Sequence, residues 1–191
     1  MWTHLAPWLV KTGEVPQLEV GDTLRGAGLH ASCWSLLEAD GPEGITELQG
    51  ADPAGDRSPH YELTGTVARL ADGSPEVVLR VQGLGLLAGP RAEGCHAGFQ
   101  PPGVGRPVTA VARLEALALY DAGAPDVRRD WLVRAIKVEH RALVPSPGYP
   151  GQTEAGAIVR VDDIGRMLRW ADASAKDHAS YLLDLEPLLI D

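Results

Sequence analysis

Blocks of this chain recur in the same order in its two halves, and a tandem repeat of strand-rich blocks leaves few folds open. Val20-Gly21 returns as Val104-Gly105, Tyr61 to Leu70 as Trp131 to Leu143, and Val77 to Val81 as Ala157 to Val161. Leu84-Gly85 is matched by Ile164-Gly165 at the spacing that also separates Val81 from Val161. A unit this small cannot bury its own apolar face, so two copies are expected to complete one shared core. The expected fold is mainly β: an antiparallel barrel or barrel-like sandwich from an internal duplication, closed so that few sheet edges stay exposed. One domain over 1–191 is expected, with repeat-like halves 18–87 and 104–168, an N-terminal segment 1–17 and a C-terminal segment 169–191.

Local patterns fill in the halves. Leu5, Trp8, Leu9 and Val10 around Pro7 predict a short turn or single helical turn. Gly21, Gly26 and Gly28 make a helix costly at about 1 kcal/mol each, so Leu18 to Leu37 reads as a long or bent strand. Glu38 to Pro59 carries Gly41-Pro42, Asp52-Pro53 and Gly55-Asp56 and reads as a polar loop. Strands are expected at His60 to Leu70 and Glu76 to Leu87, joined by the tight turn Asp72-Gly73-Ser74-Pro75. Val108 to Tyr120 is Ala- and Leu-rich enough for a helix, but its repeat partner carries glycines, which decides for strand. In Trp131 to Val144 the alternation puts Ile136, Val138, His140 and Ala142 on one face and Lys137, Glu139 and Arg141 on the other, the pattern of a half-buried strand. The C-terminus stays open between a helix, from the spacing of Ile164, Leu168, Ala171, Ala175, His178, Leu182 and Leu185, and two short strands.

Composition narrows the partners. The formal charge of −9 opposes phosphate backbones and anionic lipid, so nucleic acid and membrane are not expected partners. No run approaches the roughly 18 apolar residues of a membrane span, and Met1-Trp2-Thr3-His4 lacks the basic start of a signal peptide, which makes cytoplasmic the expected location. The Ala, Gly, Arg and Pro bias, with Lys only at Lys11, Lys137 and Lys176, resembles chains from high-GC bacterial genomes. Cys33 and Cys95 are too few for a disulfide framework and read as free thiols.

The chemistry-bearing residues are sparse. His30 with Cys33 and Cys95 with His96 could close a tetrahedral site if their loops met, but neither pair has zinc-finger spacing, and no metal or cofactor is expected. A Cys-His pair also suggests a thiolate nucleophile, since an imidazolium lowers a neighbouring thiol's pKa, but adjacent residues such as Cys95 and His96 point apart in an extended chain and would need another partner. His140 lies among apolar neighbours, where it is expected to be buried, neutral and structural, with a titratable ring as the functional alternative. Gly83 to Gly89 lacks the Lys-Ser or Lys-Thr of a phosphate loop and reads as a coiled strand end. Trp34, Trp131 and Trp170, with Tyr61, Tyr120 and Tyr181, could line a barrel mouth. His140, Trp34, Tyr61 and Trp131 are the expected ligand-contacting set, and no catalytic residue is assigned.

No family is recognised. Tyr61 to Leu87 resembles in outline the small closed barrels that bind oligonucleotides, but the acidic charge and the lack of a basic aromatic face count against that use. The expected function is a non-enzymatic binding or interaction module whose acidic surface engages a protein partner. The alternative is a small-molecule barrel, an enzyme if His140 or Cys33 serves it.

Overall fold

The computed structural model describes residues 1–50, 58–70, 76–91, 102–116, 127–146, 148–149, 151–167 and 178–188. Strand takes up 67% of these residues and helix 4%, which makes the chain mainly β. The elements in chain order are β1 (Trp2–Leu5), α1 (Pro7–Lys11), β2 (Thr23–Ala27), β3 (Leu29–Glu38), β4 (Gly44–Leu48) and β5 (His60–Leu70). They continue with β6 (Val77–Val81), β7 (Leu84–Pro90), β8 (Pro107–Ala116), β9 (Arg129–Pro145), β10 (Thr153–Ile164) and β11 (His178–Pro187). Contacts divide the chain into two compact units, residues 25–130 and residues 1–24 with 131–191.

The unit of residues 25–130 is a closed barrel of five strands. β3 pairs with β8, β8 with β5, β5 with β6, β6 with β7, and β7 returns to β3. Four of these pairings are antiparallel and the last is parallel, with His30 opposite Leu87, Ala31 opposite Ala88 and Ser32 opposite Gly89. A closed ring with an odd number of strands cannot alternate direction all the way round, so one pair has to be parallel. The sheet is therefore mixed, which corrects the expected wholly antiparallel one. Leu29, Leu63, Val67, Leu79, Leu86 and Leu114 point inward and are fully buried, and so are the small Ala31, Ala88, Ala110 and Ala112. Alternation of large and small side chains fills a barrel of this narrow bore.

Several expected elements change at this resolution of detail. Glu38 to Pro59, expected to be loop, holds β4, which pairs antiparallel with β5 from Gly44 opposite Thr64 to Leu48 opposite His60. Glu76 to Leu87, expected to be one strand, is the hairpin β6–β7. Its two-residue turn is Gln82-Gly83, with both φ angles positive, 48° and 76°. Leu18 to Leu37 breaks at Gly28 into β2 and β3. Val108 to Ala116 is strand, as the glycines of its counterpart suggested.

In the other unit β9 lies between β10 and β11, and β11 pairs onward with β1, all antiparallel. The N-terminal segment supplies both β1 and the single turn α1, which has Pro7 in its first turn and is followed by Gly13 at φ +79°. His178 to Pro187 is strand, so the helical reading of the C-terminus does not hold there; residues 168–177 lie outside the described residues. Both β5–β6 and β9–β10 are hairpins, as the repeat suggested, but β8 is a stave of the barrel built from β3 to β7. Strand pairing therefore does not establish the duplication. Among the described residues, no helix is long and apolar enough to cross a membrane.

Candidate functional site

β5 is paired along both edges at its start, with β4 on one side and β8 on the other. Tyr61 and Leu63 point into the core, so the alternation of the strand turns Glu62 and Thr64 to the outer face. The register places Thr46 of β4 beside Glu62, and Gly44 and Thr109 on either side of Thr64. Thr64 Oγ1 and Thr109 Oγ1 share a hydrogen bond of 3.0 Å. The chain leaving β3 wraps the end of this surface as Ala39, Asp40, Gly41, Pro42 and Glu43, making an open cleft of about 390 Å3 over the three strands.

The cleft is acidic. Glu38 at the end of β3 is held by Arg106, whose Nε and Nη2 donate to its two oxygens at 3.1 and 3.0 Å. The hydrogen bonds and charge of Glu38, with a smaller push from Asp40, raise the Arg106 guanidinium above its ordinary range, so the arginine keeps its charge. Glu43 accepts the Gln82 backbone N–H at 3.0 Å. Among the described residues, Asp40, Glu43 and Glu62 meet no cation at ion-pair distance. Three exposed carboxylates without a salt-bridge partner among the described residues therefore border the cleft, beside threonine hydroxyls that can give or take hydrogen bonds.

The residues singled out in the sequence fall elsewhere. Trp34 and Tyr61 belong to the barrel unit, Trp131 and His140 to the other. Tyr61 and Trp131 are buried at 2% and 0% exposure. Trp34 sits at a β-bulge: Cys33 faces Ala112 and Ser35 faces Val111, so the tryptophan is the extra residue whose side chain the bulge re-aims. Its ring is stacked by the Arg91 guanidinium at 4.9 Å and met edge-on by His60 at 6.0 Å. Cys33 is buried, its Sγ donates to Ala31 O at 3.2 Å, and desolvation pushes its pKa up to about 12 against a lowering by the Gly89 backbone. It is a thiol, not a thiolate, at neutral pH. His30 Nε2 stands 3.2 Å from Glu76 Oε1. Cys95, His96, Tyr120 and Trp170 lie outside the described residues, as do Asp121, Asp126, Asp172 and Asp177. Among the described residues, no three His, Cys, Asp or Glu side chains group as metal ligands.

His140 is not in the apolar setting its neighbours Ile136 and Val138 implied. Across the β9–β10 ladder it faces Arg160, and its Nε2 lies 3.1 Å from both Arg160 Nη2 and Asp162 Oδ2. That nitrogen can accept from the arginine or donate to the carboxylate, not both at once. Glu139, expected on the solvent face, is 1% exposed. Ser180 Oγ donates to its Oε2 at 3.0 Å, Arg141 Nη2 approaches the same oxygen at 3.4 Å and His4 Nδ1 at 3.8 Å. Strand alternation could not reveal this buried cluster, because His4 and Ser180 are brought to Glu139 by β1 and β11 from opposite ends of the chain.

The chain is thus defined by a narrow, side-chain-filled five-stranded barrel with an acidic cleft on its outer face. No family model, curated protein or solved structure matches it.

Proposed function

We propose that this protein is a non-enzymatic binding module whose acidic cleft on β4, β5 and β8 engages a basic segment of a protein partner. The observation that carries the reading is the set of exposed carboxylates without a salt-bridge partner among the described residues, Asp40, Glu43 and Glu62, around an open cleft beside which Arg106 is committed to Glu38. Unlike charge across an interface steers encounter and fixes partner choice. The filled barrel interior supports a site on the outer face rather than inside.

The test compares two charge reversals with the same change in net charge. Glu62→Lys should weaken binding to an immobilised Lys-rich peptide by about tenfold or more, whereas Glu154→Lys, at an exposed site on β10, should leave it nearly unchanged. Equal effects of the two variants would mean that net charge, not the cleft, holds the peptide, and the reading would fall.

A further inference from the structure

We infer that the partner binds as an added β-strand along the free edge of β4, with Lys or Arg at every second residue turned into the cleft. This rests on the acidic-cleft reading and specifies how that cleft is occupied. β4 ends the strand order of its sheet: one edge is bonded to β5 without a register shift, and the other meets no strand among the described residues. In a strand of this kind every second N–H and C=O points away from the neighbour already paired, so Gly44 to Leu48 presents an unfilled row of donors and acceptors. Extended segments bind such edges through the backbone ladder and are selected by the pockets beside alternate side chains.

The charges choose among the occupants. An edge strand usually guards itself with lysine, proline or a bulge. β4 is regular and carries no lysine, and its one charged residue is Glu47. On the cleft face an added strand would lie beside Thr46 with Glu62, Asp40 and Glu43 around it, and on the opposite face beside Ile45 and Glu47. Carboxylates on both faces repel an acidic strand, including β4 of a second copy, since like charges placed opposite each other destabilise a strand pair. A basic strand meets opposite charge on both faces. Its side chains on one face recur every second residue, about 6.4 to 6.8 Å apart, so two successive basic side chains can reach the group formed by Asp40, Glu43 and Glu62.

The decisive probe is an eight-residue peptide alternating Lys and Thr, with two further versions N-methylated at all Lys or at all Thr. Alternate amides of an added strand point to opposite sides, and the cleft fixes which residues are the lysines. One methylated peptide should therefore lose binding by about tenfold or more while the other binds like the parent. Equal binding of all three, or equal loss in both methylated forms, overturns strand addition and leaves the acidic-cleft reading to stand on the Glu62→Lys comparison. A parent peptide that does not bind removes both. Concentration-dependent self-association that the peptide competes away would place a second copy on the edge and overturn the basic-segment assignment. Val67 donates to Arg106, on the β8 side, so Glu62 and Thr64 bond towards β4 and the N–H groups of Ile45 and Glu47 are the ones on its free edge. Ile45→Pro is the matching variant on the protein, and it should abolish the difference between the methylated peptides while near-native circular dichroism shows the fold retained.

Discussion

The Cys33 sulfur lies on the inward face of β3, opposite Pro90 of β7 and Ala112 of β8, where a thiolate would have almost no water around it. Burial therefore favours the neutral form and raises its pKa from 9.0 to about 12. In a Cys95→Ser background, native protein should resist iodoacetamide at pH 8, while the chain in denaturant reacts at the rate of a free thiol. The sign of the pH effect follows from the same shift. Below about pH 9 the thiol is protonated both folded and unfolded and costs nothing; between pH 9 and 12 only the unfolded chain loses its proton, so stability falls through that window. Urea midpoints for Cys33→Ala should show a shallower fall over the same range, after allowing for the cavity the smaller side chain leaves. Rapid alkylation of the native protein at pH 8 would show that Cys33 reaches solvent and restore it as a candidate nucleophile.

At the level of the elements, the barrel depends on a close approach where β5 passes β6. A Cβ added at Gly65 would run into the Arg80 carbonyl oxygen, which the neighbouring strand holds in place, and come within 2.7 Å of Val81 Cγ2. Gly65→Ala should therefore cost about 1–3 kcal/mol, as overpacking of a dense interior does. Gly41→Ala, whose nearest neighbour would be Thr64 Cγ2 at 3.7 Å, should stay within about 0.5 kcal/mol. Urea denaturation with an unchanged slope checks both, and an unaltered midpoint for Gly65→Ala would mean that the strands separate at little cost. Gly65 stands inside a strand that the sequence did reveal. Tyr61 to Leu70 and Val77 to Val81 were legible because apolar residues alternate and the turn-forming types Asp, Gly, Ser and Pro stand between them in the sequence. β4 was not, since Gly44-Ile45-Thr46-Glu47-Leu48 has only two large apolar residues and borrows its place from β5. The β6–β7 turn was hidden for a related reason: Gln82 adopts a positive φ without the Asn or Asp that normally announces it. The cleft inherits both failures, because its floor includes β4 and its acidic residues look like ordinary solvated surface until register brings Thr46, Glu62, Thr64 and Thr109 together.

Over the whole molecule, composition states how much negative charge there is and the ion pairs state where it is left over. Arg113 faces Glu115 at 2.7 Å, Arg134 faces Glu186 at 2.7 Å, Arg160 faces Asp162 at 2.9 Å and Arg166 faces Glu19 at 2.9 Å. Guanidinium groups held this way in both units are already matched to carboxylates and offer little positive field to a phosphate backbone, whose capture depends on cations free to displace its counterions. With 26 Asp and Glu against 17 Lys and Arg, the surplus falls on sites such as the cleft. The protein should accordingly pass through a column of double-stranded DNA at 0.1 M salt without delay, and a column of immobilised Lys-rich peptide should retain it and release it as salt rises, because screening shortens the reach of exposed charges to about 10 Å at that ionic strength. Retention on DNA that weakens steeply with salt would require a basic face built from exposed cations outside these ion pairs, such as Arg25 or Arg80. That result would overturn the expectation that phosphate backbones are not partners, and the Lys-rich column would then judge the cleft by itself.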